Sequence, residues 1–313
     1  MRKAVLLIGI LILTAILPTV SVAAPATTTD AGILFGGQSF EINQSGSSTV
    51  NFSELPSVVE VYTATWCGNC VDVEHALDNI ENETGLQQYH IHRAINEAQD
   101  PLGNNETDQR FHDRYGVQSP PVVVFNGSVI KIGSIADAES LESEFTELAQ
   151  QNLEISGVST FTWNSTSDST GTATWAMSSL NLTYLDTLDG HNQQSTLSAY
   201  AWIVEHSASF EEGSNGLGDY PHVVRGIIEL GEINMTSDPQ VLSGSADITL
   251  PPAYDGDDLS IHLIYQFNPP AEVEEPVPQI SPPLTDSPEE GLPAASLLAS
   301  LCAVFGAALI RKD

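Results

Sequence analysis

One pair of residues in this sequence has both the type and the spacing for chemistry: the cysteines of Trp66-Cys67-Gly68-Asn69-Cys70. The stretch before them, Val58-Val59-Glu60-Val61-Tyr62, is β-branched and aromatic and predicts a buried strand. After them Val73, Ala76, Leu77 and Ile80 follow helical spacing, and Gly85 is a natural stop. The pair is therefore expected at a strand-to-helix turn, with the first sulfur beside the unpaired N–H groups of a helix N-terminus. Those groups and the helix dipole favour a thiolate, and such a cysteine falls from about 8.5 into a range of roughly 3.5–7.5. Thiolate is the attacking species. Cys67 is thus the expected nucleophile and Cys70, one turn on, the resolving thiol.

Other chemistries for the pair remain open. Haem attachment requires His after the second cysteine, where this chain has Val71. A zinc or copper site would have to recruit histidines such as His75, His90, His92 or His112, because only three cysteines exist and Cys302 lies far away in an apolar C-terminal stretch. A permanent disulfide closing a tiny loop is the third alternative. No cofactor is expected beyond a redox-active Cys67–Cys70 disulfide.

The elements around the pair extend the pattern. Tyr89 to Ile95 alternates as a strand, and 108–115 can be a helix. Val122-Val123-Val124-Phe125 reads as a buried strand, Asn126-Gly127 as a hairpin turn, Val129-Ile130-Lys131-Ile132 as the return strand, and 136–152 as an amphipathic helix. The order β-α-β-α-β-β-α is an α/β layer arrangement. Val59 through Cys70 resembles the active-site strand and loop of thioredoxin-like proteins. Tyr115-Gly116-Val117-Gln118-Ser119-Pro120-Pro121-Val122 resembles the second landmark of that superfamily, a cis-proline facing the cysteines. The resemblance implies a thioredoxin fold over residues 55–152 and the cis-proline place for Pro121, with Ser119-Pro120 as the alternative. It also implies a shielding role for Trp66 and a buried acid on the preceding strand, for which Glu60 is the nearest candidate although its spacing to Cys67 is one residue too long. The usual proline within or just after the cysteine pair is missing.

Residues 155–267 change class. Candidate strands at 159–163, 171–177, 195–205, 223–230, 246–250 and 259–267, with turns such as Asp189-Gly190 between them, predict an all-β sandwich of immunoglobulin-like type. Ala199-Tyr200-Ala201-Trp202-Ile203-Val204-Glu205-His206, followed by Pro221-His222-Val223-Val224-Arg225-Gly226, resembles the C-terminal β-domain of Omp28-like exported proteins, in which it follows a thioredoxin-like domain. Trp163, Trp175 and Trp202 read as core aromatics. His191, His206, His222 and His262 lack the short spacing of a metal site.

Both ends carry targeting signals. Residues 1–24 combine a basic start, the apolar run Ala4 to Leu17 and small residues up to Ala24, the layout of a secretory signal peptide. Residues 25–54 read as a loose lead-in with one short strand at Ser39–Ile42. Residues 268–291 are a proline-rich acidic linker, and 292–310 an apolar stretch about long enough to span a bilayer, closed by Arg311-Lys312. This tail resembles archaeal C-terminal sorting signals without their Pro-Gly-Phe tripeptide. The expectation is an exported cell-surface protein with its domains outside, held at the membrane by a C-terminal transmembrane helix. Eight Asn-x-Ser/Thr sequons, at Asn43, Asn51, Asn82, Asn105, Asn126, Asn164, Asn181 and Asn234, are candidate glycan sites.

The 313 residues carry 41 acids against 9 Lys+Arg, a net charge of −32. That balance argues against nucleic acid as a partner, which needs Lys and Arg to neutralise phosphates. It fits a surface kept soluble in high salt, as in a salt-adapted archaeal or marine protein. The function these features predict is thiol–disulfide exchange with extracellular client proteins, with a membrane electron donor as a second candidate partner. The alternatives are a surface binding protein with a static disulfide and a metal-handling protein.

Overall fold

Two sheets dominate the computed structural model, which describes residues 23–96, 98–151, 153–182, 195–235 and 241–269. The first part of the chain supplies β1 (Thr27–Thr28), β2 (Ile33–Glu41), β3 (Gly46–Asn51), β4 (Val58–Thr63), α1 (Gly68–Thr84), β5 (Gln87–His92), α2 (Asn105–Tyr115), β6 (Val122–Phe125), β7 (Val129–Ile132) and α3 (Leu141–Ala149). Six longer strands follow: β8 (Ile155–Ser167), β9 (Thr170–Leu182), β10 (Thr196–Ser209), β11 (Asp219–Asn234), β12 (Val241–Thr249) and β13 (Leu259–Asn268).

Nine strands form one mixed sheet in the order β1-β7-β6-β4-β5-β11-β10-β13-β2, and four form a second in the order β12-β9-β8-β3. The join lies at β5 and β11, which pair in parallel with His90 opposite Val223. Beyond it β10 pairs antiparallel with both β11 and β13 over nearly its whole length.

The expected fold class, an α/β thioredoxin fold followed by an all-β sandwich, is corrected by this topology. Among the described residues the structure is β-rich, 49% strand against 18% helix, and its main sheet runs unbroken from β1 to β2 through both halves of the chain. The helical periodicity of 73–80 and 141–149 drew the reading toward α/β. The strands of the later half prove long, and the lead-in adds to both sheets instead of being loose. β2 pairs with β13 from Ile33 to Glu41, and β3 pairs with β8. The alternating burial of Gly46–Asn51 marks a half-exposed strand that its Ser/Thr/Gly composition disguised.

Three apolar layers hold the sheets. Val59, Val61, Val123 and Phe125 on one face of the main sheet pack on Val73, Leu77 and Ile80 of α1 and Phe145 of α3. Tyr62, Tyr89, Ile91, Val122 and Val124 on the other face pack on Phe111 of α2, and this layer crosses the join to Trp202, Val204 and Ile264. The third fills the space between the two sheets with Phe35, Trp163, Trp175, Leu197, Ile203, Tyr265 and Phe267. Trp163 and Trp175 are thus inter-sheet aromatics, whereas Trp202 belongs to the α2 layer. Strand residues alternate between faces, so Ala201 and Ile203 enter one core while Trp202 and Val204 enter another.

Among the described residues no helix is long and apolar enough to cross a membrane, so the transmembrane expectation finds no support there. The expected signal peptide, the proline-rich linker, the 292–310 stretch, Cys302, Asp189-Gly190 and His191 lie outside the described residues.

Candidate active site

The disulfide turn follows from a fully buried strand. All six residues of β4 are buried, and the chain leaves it through Ala64, Thr65 and Trp66. The Cys67 N–H donates to Ala64 O at 2.9 Å, which closes the turn. Cys67 takes an extended conformation as N-cap of α1, and the first helical turn contains no acid. Nothing there opposes the positive end of the helix dipole. Gly85 ends the helix in the left-handed region at φ 67°.

Cys67 and Cys70 are joined, with Cα atoms 5.3 Å apart. Cys67 is 6% exposed and Cys70 fully buried, so an incoming group meets Cys67 first. Ala64 and the partly buried Trp66 pack around the two sulfurs. The Arg93 guanidinium stands over the Trp66 ring, 5.9 Å from its centroid.

A buried polar layer lies behind the disulfide helix. Glu74, one turn beyond Cys70 on the same face of α1, is 2% exposed and accepts a short hydrogen bond from the Thr63 hydroxyl. Burial pushes its carboxyl above the usual range, against the opposing pull of the Thr63 hydrogen bond and the nearby His92. His92 Nδ1 stands 2.8 Å from Asp100 Oδ2. A carboxylate only accepts, so Nδ1 carries the proton in this pair. Asp100 also accepts from the Thr65 N–H at 2.8 Å and the Leu102 N–H at 3.0 Å. His92 Nε2 is buried without a hydrogen-bond partner among the described residues.

The long β10–β11 connection closes over this layer. Asn215 N–H donates to Thr65 O at 3.1 Å, and the Tyr220 hydroxyl donates to Asn215 Oδ1 at 2.8 Å. Burial first, then the charges of Asp100 and Glu74, push the Tyr220 hydroxyl up to about 12. A groove of about 460 Å³ opens beside Trp66, lined by Gln99 and Pro101 on one side and Phe210, Glu212 and Ser214 of that connection on the other.

Of the residues singled out from sequence, Trp66, Cys67 and Cys70 stand together. Pro121 precedes β6, whose Val122 pairs with Tyr62, so it lies at the end of β4 from which the disulfide turn leaves. The Pro120–Pro121 peptide is cis. Glu60 is elsewhere. It points to the α2 face, opposite α1, where Arg110 Nη1 donates to it at 2.7 Å and the Tyr115 hydroxyl makes a short hydrogen bond. Its role as the acid of the site is corrected on this ground: side chains of a strand alternate, and Glu60 has the parity of Tyr62 rather than that of Val61 and Thr63. Glu74, His92, Asp100 and Arg93 are what the sequence reading missed as a group. The i, i+4 spacing from Cys70 was a signal for Glu74.

The metal alternative gains no geometry. His90 faces His222, His112 meets Asp113 and Gln118, and no three His, Cys, Asp or Glu among the described residues could hold a metal ion.

No protein-family model matches the chain, and no curated protein matches it. An X-ray crystal structure of a protein from Agrobacterium tumefaciens aligns with a TM-score of 0.39 at 15% identity, covering 62% of this chain and 78% of that one.

Proposed function

We propose that the protein exchanges disulfides with exported client proteins through Cys67 and Cys70. What carries this reading is the unequal setting of the two cysteines: Cys67 at the helix N-terminus and 6% exposed, Cys70 fully buried, with the Glu74 carboxyl one turn behind it. In the oxidised form a client thiolate attacks Cys67 Sγ. The Cys67–Cys70 bond breaks, the client–Cys67 bond forms, and Cys70 leaves as a thiolate that takes the Glu74 proton. A second client thiolate then attacks the client sulfur of the mixed disulfide, and Cys67 leaves as a thiolate facing the helix N-terminus. Two electrons pass from the client dithiol to the pair, and the client gains a disulfide. The same steps reversed reduce a client. Glu74 and His92 provide the proton traffic, which general acid–base groups supply when buried close to the reacting atoms.

A Cys67→Ser substitution should reduce turnover of hydroxyethyl disulfide by dithiothreitol to the uncatalysed rate, while Cys70→Ala should accumulate mixed disulfides. Equal turnover in wild type and Cys67→Ser would remove the proposal. The near-complete burial of both sulfurs favours one second reading, a static bridge. A reduction potential below about −300 mV would select it.

A further inference from the structure

We propose that Trp66 and Arg93 form the client-recognition surface of the disulfide, and that the clients it fits carry a carboxylate beside the cysteine under attack. This inference rests on the exchange reading above. Trp66 packs against the cluster of Ala64, Cys67 and Cys70, and the Arg93 guanidinium lies over its ring, so a full positive charge stands on the aromatic side chain next to the disulfide. A cation within about 6 Å of an indole centroid is held by the ring quadrupole. That contact fixes the guanidinium without consuming its hydrogen-bond donors.

The other described basic side chains are engaged. Arg110 meets Glu60, Lys131 meets Glu144, Arg225 meets Glu205, and Arg114 donates to the Tyr115 hydroxyl and Asn268. Among the described residues the Arg93 guanidinium has neither an acid nor another acceptor within bonding distance. In a chain with 41 acids and 9 Lys+Arg, a cation beside the disulfide turn with no acid paired to it among the described residues is the group a client carboxylate would meet.

The surroundings give the recognition a direction. A cavity of about 130 Å³ opens on the Arg93 side, bordered by Asn96, Asp108, His112 and Gln118. The one acid among its described lining residues is turned inward: Asp108 accepts from the Tyr62 hydroxyl at 2.6 Å and from the Ala94 and Ile95 N–H groups at 2.8 and 2.7 Å. The groove beside Trp66 carries Glu212, which repels a second carboxylate. An acidic flank is therefore accepted beside Arg93 and rejected beside Glu212. At about 1 M salt the Debye length is near 3 Å, so the repulsion from the −32 net charge is screened while a contact between Arg93 and a carboxylate is kept.

The test compares two cystine-bridged peptides that differ only in Asp or Asn beside the cysteine, with hydroxyethyl disulfide as a probe without a charged flank. With dithiothreitol as the electron donor, the full-length wild type should reduce the Asp peptide with a kcat/KM about fivefold above the Asn peptide, the size expected of one partly exposed ion pair. Arg93→Gln should bring the ratio to one, and Arg93→Lys should keep part of it. Equal rates for the two peptides in a wild type that turns over hydroxyethyl disulfide, or a preference that survives in Arg93→Gln, would overturn the inference and leave the exchange reading standing. A wild type inert toward hydroxyethyl disulfide removes both.

Discussion

Glu60 and Glu74 are both buried, both touch β4 or its hydroxyl, and lie on opposite faces of the same sheet. Glu60 is fully answered. An arginine ion pair and a tyrosine hydroxyl meet its two oxygens, and the same arginine stacks over Trp202 at 4.8 Å and reaches Gln266 of β13. Among the described residues Glu74 accepts only from the Thr63 hydroxyl, and burial raises its carboxyl above the usual range. The difference separates two uses of a buried acid. A carboxylate whose charge is matched within the fold ties elements together. One whose charge is not matched keeps a proton it can give away.

Breaking the Glu60 side should have the largest effect. Glu60→Ala leaves Arg110 mostly buried beside an empty site, and removing one partner of a buried pair costs about 3 kcal/mol or more. A urea titration should show the midpoint fall by a corresponding amount, whereas the pH profile of disulfide exchange by the folded fraction should keep its shape. A changed profile with unaltered stability would reverse the roles assigned to the two glutamates.

The Glu74 side should respond in rate. Glu74→Gln preserves volume and an acceptor for Thr63 but holds no transferable proton, so departure of Cys70 should slow by about a hundredfold. The sign of the stability effect is opposite to that of a paired acid. A carboxyl raised in the folded state stabilises below its unfolded value near 4.5, and that contribution is lost as pH rises through the raised value. Glu74→Gln should therefore flatten the decline in stability above pH 4.5. Stopped-flow exchange and urea midpoints across pH 4 to 8 measure both. A variant as fast as wild type would mean that Cys70 draws its proton from elsewhere, with His92 the next group to replace.

The contrast between these two acids also marks what the sequence could convey. The cysteine pair, its strand and its helix were legible because a β-branched, aromatic run gives way to helical spacing around Cys67, and the Asn126-Gly127 turn was legible from its two residues, which sit at φ 50° and 69°. Glu60 was named because it precedes the cysteines, yet strand parity alone sends it to the other face. Glu74 is marked in the sequence only by its i, i+4 spacing from Cys70. His92 and Asp100 could not be joined to it, since their meeting depends on how the loop after β5 folds back to Thr65. The overall fold is hidden in the sequence for a related reason. Pairing of β2 with β13 spans more than two hundred residues, and a strand such as Gly46–Asn51 shows its partner only in three dimensions.

The smallest of the expected effects tests the join itself, through one buried imidazole. His262 on β13 has both ring nitrogens occupied: Gln87 and the Tyr89 hydroxyl of β5 meet Nδ1 at 3.0 and 3.1 Å, and the Ser260 hydroxyl meets Nε2 at 2.7 Å. A neutral ring accepts at Nδ1 and donates at Nε2, which suits this set; a protonated ring would turn a donor toward two donors. Burial first, then the charges of His206 and His222, lower its pKa from 6.5 to about 3. The unfolded chain thus binds a proton near pH 6.5 that the folded chain refuses. The stabilisation is complete above 6.5 and is lost as pH falls toward about 3. Between pH 6.5 and 5.5 the loss from this one group is about 1 kcal/mol. His90 and His222, also lowered by burial, act in the same direction, so the difference between two proteins isolates the effect. His262→Gln should lose stability less steeply than wild type over that interval in parallel urea titrations. Parallel slopes would show that the ring already carries its proton in the folded state, and that the join, unlike the Glu60 cluster, is not held by matched donors and acceptors.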